Sequence, residues 1–77
     1  MRKWEKHIEA NPEIMYGKPV IKGTRIPVDL ILEKMSNGQN FQEIYKDYPD
    51  LNEEDLYACL AYATSVLRNE VIIPLAS

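Results

Sequence analysis

Apolar residues recur with a helical period from Val28 onward and lose that period before it. Val28, Ile31, Leu32 and Met35 fall at i, i+3, i+4 and i+7, the spacing of one buried face, and predict a helix over 28–37. Pro27 suits its entrance, where a missing N–H costs nothing, and Gly38 suits the left-handed position just past its end. Asn40 followed by Glu43 has the form of a capping box and opens a second helix, 41–48, that buries Phe41, Ile44, Tyr45 and Tyr48 before Pro49 stops it. Asn52 then caps a third and longest helix, 53–69, whose first turn Glu53-Glu54-Asp55 places negative charge where the helix dipole favours it.

The first third reads differently. Asn11-Pro12 marks a turn or a short helical start, and Gly17, Pro19 and Gly23 punctuate a stretch rich in β-branched residues. Two short strands are predicted, near 5–8 and 19–26, the second bent at Gly23. The predicted fold is mainly α: a three-helix, helix-turn-helix-like domain with a short N-terminal β-strand region. It is one domain over 1–77, divided into a strand and turn region (1–27), a three-helix core (28–69) and a tail (70–77) in which Val71-Ile72-Ile73 forms a short strand or an apolar docking segment.

Length changes what this pattern has to achieve. A chain of 77 residues buries only roughly 60–65% of its extended surface, so its single core is marginal. Cys59 is the only cysteine, which excludes an internal disulfide, and with His7 it makes up the whole supply of soft metal ligands. No cofactor is therefore expected, and oligomerisation is the expected source of extra stability. Residues 1–10 lack the apolar core of a signal peptide, and no apolar run approaches the ~20 residues needed to span a bilayer, so a cytoplasmic location is expected.

The net charge of −3 is unevenly spread. Residues 1–25 carry six cations against three acids, and residues 26–77 carry three cations against nine. Any contact with nucleic acid should then run through the N-terminal third, at Lys18, Lys22 and Arg25, because affinity for a phosphate backbone comes from neutralising it.

The most distinctive text is Gly17-Lys18-Pro19-Val20-Ile21-Lys22-Gly23-Thr24-Arg25-Ile26-Pro27-Val28. With Asn11-Pro12, Gly38, Phe41-Gln42-Glu43-Ile44, Tyr48-Pro49-Asp50-Leu51, Asp55-Leu56 and Ala61-Tyr62-Ala63, it closely resembles the bacterial and archaeal family called domain of unknown function 433, over about residues 7–63. The resemblance implies a helix-turn-helix domain behind a strand region. It also implies an antitoxin-like protein that pairs with a PIN-like ribonuclease toxin, silences it and autoregulates its operon. The chain departs from that pattern in length, with eight residues after the third helix to serve as a toxin-wrapping tail.

Catalytic chemistry finds little support. A phosphate-binding loop needs its lysine after the second glycine, whereas Lys18 follows the first and Thr24 follows Gly23. The glycines instead supply unusual dihedrals, and Pro19 and Pro27 fix the chain direction. Glu53, Glu54 and Asp55 point about 100° apart on a helix and do not converge on a substrate. His7 reads as a surface or strand-edge residue and Cys59 as a small buried side chain. A salt bridge of Arg25 to a carboxylate of the acidic helices, within the chain or across subunits, is the leading reading, ahead of a phosphate or a toxin's acidic pocket. No enzymatic activity is expected.

The third helix points to association. No charged residue occurs between Leu56 and Leu67, and Leu56, Cys59, Leu60, Ala63 and Leu67 form an apolar stripe flanked by Tyr57, Ala58, Ala61 and Tyr62. A helix apolar nearly all round is buried on several sides, and a helix that reads the major groove normally presents Arg, Lys, Asn or Gln. The expected interface is Leu56, Tyr57, Leu60, Ala61, Tyr62, Val71, Ile72 and Ile73. Three readings follow. The leading one is a homodimeric interaction module that binds a PIN-like nuclease. The others are a DNA-binding autorepressor using the basic strands as a ribbon, and a structural dimer with an unrelated partner.

Overall fold

The computed structural model describes residues 3–69. Three helices, α1 (Val28–Ser36), α2 (Phe41–Asp47) and α3 (Glu53–Asn69), follow a two-stranded antiparallel sheet of β1 (Ile8–Glu9) and β2 (Val20–Ile21). Ile8 lies opposite Ile21 and Glu9 opposite Val20.

The strands are shorter than the sequence suggests, for local reasons. Residues 4–8 close a turn in which the His7 and Ile8 amides both donate to the Trp4 carbonyl. After β2 the chain reverses at once. Gly23 takes φ +82°, a region that costs a residue with a β-carbon, and the Thr24 amide and hydroxyl both donate to the Ile21 carbonyl. The Thr24 hydroxyl in turn accepts from the Ile26 amide, and Ile21 N–H donates to Ile26 C=O. The distinctive glycine-lysine text thus folds as a tight hairpin that delivers Pro27 to the N-cap of α1.

The helices end where their capping residues stand. Gly38 is left-handed after α1. Asn40 and Glu43 exchange side chain-to-backbone bonds of 2.9 Å in each direction at the start of α2. Asn52 and Asp55 form the corresponding pair at the start of α3, at 2.9 and 3.1 Å. The predicted buried faces pack together. Val28 and Ile31 of α1, Ile44 of α2 and Leu56, Ala58 and Cys59 of α3 join Ile8, Ile21 and Leu51 in one core. Lys34 ties α1 to the end of α2 through Asp47, at 3.2 Å, and lies over the Tyr48 ring.

Candidate functional site

The two longest helices are unequal, and that inequality leaves a surface. At 1.5 Å per residue α3 is ~25 Å long and α1 only ~13 Å, so the apolar stripe of α3 runs past the core it seals. Its first half is covered, with Leu56 and Cys59 wholly buried. Its second half forms the wall of an open groove of about 390 Å³, built by Tyr62, Ala63, Val66 and Leu67 against Pro19, Val28 and Leu32. Val66 is 46% and Leu67 65% exposed. The polar rim is one ion pair, Lys18 Nζ to Asp29 Oδ2 at 2.9 Å.

Of the expected interface residues, two move to the interior. Leu56 and Ala61 lie inside the chain's own core. The N-terminal segment accounts for part of this, because it folds over α3 and covers a side the sequence leaves open. Trp4 stacks edge-on against Tyr62 at 4.8 Å, and Tyr57 meets Phe41 of α2 at 5.2 Å. Tyr62 is therefore both half-buried and part of the groove wall, while Leu60 stays 40% exposed. Val71, Ile72 and Ile73 lie outside the described residues.

The three basic residues divide. Lys18 is engaged at the groove rim. Lys22 and Arg25 are both exposed, on either side of the hairpin turn. Arg25 forms no ion pair among the described residues, so Lys18, and not Arg25, clamps an acidic helix within the chain. The first turn of α3, where a groove-reading helix meets base edges, instead holds Glu53, Glu54 and Asp55.

His7 makes a contact that its neighbours in the chain do not announce. Its Nδ1 lies 3.1 Å from Asp55 Oδ1, while the other carboxylate oxygen accepts from the Asn52 amide. One carboxylate thus caps α3 and ties the N-terminal strand region to it across 48 positions, a separation that no local pattern encodes. Burial, assisted by the charge of Asp55, pushes the Cys59 thiol up to about 12, so it stays a neutral packing group. Among the described residues no three His, Cys, Asp or Glu side chains gather as a metal site, and no helix is long and apolar enough to cross a membrane.

A second unforeseen feature precedes the hairpin. Met15 and Tyr16 both take left-handed backbone, at φ +52° and +58°, followed by Gly17 at +84°. Left-handed backbone costs an L-residue roughly 1–2 kcal/mol. The turn is held by Gly17 N–H to Ile14 C=O and Lys18 N–H to Met15 C=O. It presents Tyr16 wholly to solvent, with Met15 41% exposed.

Comparison with known proteins sets this architecture among relatives. The profile of the family described as Protein of unknown function (DUF433) matches residues 8–63. An uncharacterized protein of Sinorhizobium fredii, y4eO, is 29% identical over 56 residues, which are 73% of this chain and 25% of that protein. The crystal structure of a DUF433 member protein from Anabaena variabilis superposes with a TM-score of 0.74 at 31% identity, over 79% of this chain and 60% of that one. The chain thus spans a quarter of the first relative's length and three fifths of the second's.

Proposed function

Starting from the chain's membership of the DUF433 family, we propose that it is an antitoxin-like interaction module of the cytoplasm: a non-catalytic subunit that self-associates and docks on a PIN-like nuclease. The observation that carries this reading is the groove between α1 and α3. Its walls are apolar, its α3 side has no charge from Leu56 to Leu67, and Val66 and Leu67 are left open to water. Exposed apolar surface rimmed by polar groups is what a docking surface offers. Electrostatics support a basic partner. A nuclease that must attract RNA has a basic rim, and the acids of residues 26–77 steer towards such a rim. The acidic first turn of α3 meanwhile opposes use of that helix in a DNA groove.

Co-expression with the product of the adjacent gene tests this directly. The two proteins are expected to co-purify, and the complex to lack the ribonuclease activity of the partner alone. Leu67→Glu, at a position open enough to accept charge without disturbing the core, should weaken the self-association that the groove serves. Failure of the two chains to associate would contradict the reading. The exposed Lys22 and Arg25 favour one second reading, an autorepressor that grips phosphate at the hairpin tip. In that case Lys22→Ala lowers the salt slope of promoter binding by about one unit.

A further inference from the structure

The left-handed turn and the groove are complementary parts of one surface. Met15 and Tyr16 hold an unfavourable backbone, and its effect is to display an aromatic and a thioether side chain in water. Neither the strain nor the exposure stabilises the isolated chain, and strained residues of this kind cluster at binding and switch sites. The groove is the converse, an apolar concavity walled by Leu32, Ala63, Val66 and Leu67. The two lie side by side in the sequence, because Tyr16 stands two residues before Lys18, which forms the groove rim with Asp29. Two residues span at most about 7 Å.

We infer that two copies of this chain associate about a two-fold axis, each seating Tyr16 in the groove of the other against Leu32, Ala63 and Leu67. This inference rests on the reading of the chain as an associating module and specifies its self-contact. Closed symmetry suits an anchor that lies beside its own receptor. The operation that brings the partner's ring into this groove also carries this ring into the partner's. The groove is large enough for a phenol ring, and the Lys18–Asp29 pair at its rim offers the hydroxyl both a donor and an acceptor. A basic first third and an acidic remainder on each copy add mutual attraction. Two aromatic anchors and the rim around them make a contact at the low end of interface sizes, the class of weak and transient associations.

The test exploits a substitution that relieves strain instead of adding it. Tyr16→Gly removes the anchor and places at φ +58° the residue that tolerates it best. Sedimentation velocity over the micromolar range should give a dimer for the full chain and at least a tenfold weaker dissociation constant for Tyr16→Gly, with a melting temperature for the variant monomer that holds or rises. A photoreactive benzoyl-phenylalanine at position 16 should yield a covalent dimer, cross-linked to the peptide containing residues 62–67 of the other copy. Equal association of the variant and the parent chain would overturn the inference. So would a full chain that stays monomeric, or cross-links that fall within one copy or on residues 70–77. Because these measurements use the chain alone, their failure is separate from a failure to bind the nuclease.

Discussion

Two side chains at the start of α3 show how single residues hold this small molecule together. Asp55 accepts from the Asn52 amide and pairs with His7, so one carboxylate fixes a helix start and the N-terminal segment at once. One turn on, Cys59 is wholly buried beneath it. Its thiol is raised from 9.0 to about 12 in the folded chain. The folded state therefore keeps a proton that the unfolded chain gives up above pH 9, and stability must fall as pH rises through that window. The expected slope approaches ~1.4 kcal/mol per pH unit between the two values. Chemical denaturation at pH 8 and pH 10.5 measures it, and Cys59→Ala should remove that share of the decline. A parent chain and variant with parallel alkaline profiles would show that the thiol is not held neutral.

At the scale of elements, capping text decided most of the fold, and it was readable because it is local. Asn40 with Glu43, Asn52 ahead of the acidic turn, Gly38 and Pro49 each act within a few residues, and they mark the end of α1, both ends of α2 and the start of α3. Replacing Asn52 with alanine should cost about 1 kcal/mol of unfolding free energy. Asp55→Ala should cost more than Asn52→Ala, because it also releases His7. Equal losses by thermal or urea melts would place the His7 contact outside the stability of the fold. What escaped the sequence is long-range or conformational. The Trp4–Tyr62 stack and the His7–Asp55 pair join segments more than 45 positions apart, and they turned part of an expected outer face of α3 into interior. The left-handed backbone at Tyr16 has no residue signal, since glycine and asparagine are the usual occupants there. The second strand is short because Thr24 closes the turn after it with its own hydroxyl, which propensity does not register.

At the scale of the whole molecule, a core of about a dozen side chains seals one half of α3 and leaves the other half open. Leu60, Val66 and Leu67 are the large apolar residues of that helix that remain exposed. The cations at the hairpin tip, Lys22 and Arg25, belong to a different element, which allows protein docking and phosphate contact to be read separately. The most direct measurement is a dilution series of the isotope-labelled chain followed by amide chemical shifts from millimolar to low micromolar concentration. Concentration-dependent shifts are expected at Tyr16, Leu32, Ala63, Val66 and Leu67, with Lys22, Gly23 and Arg25 unmoved. Shifts confined to the hairpin tip, or spectra that do not change with concentration, would contradict association through the groove.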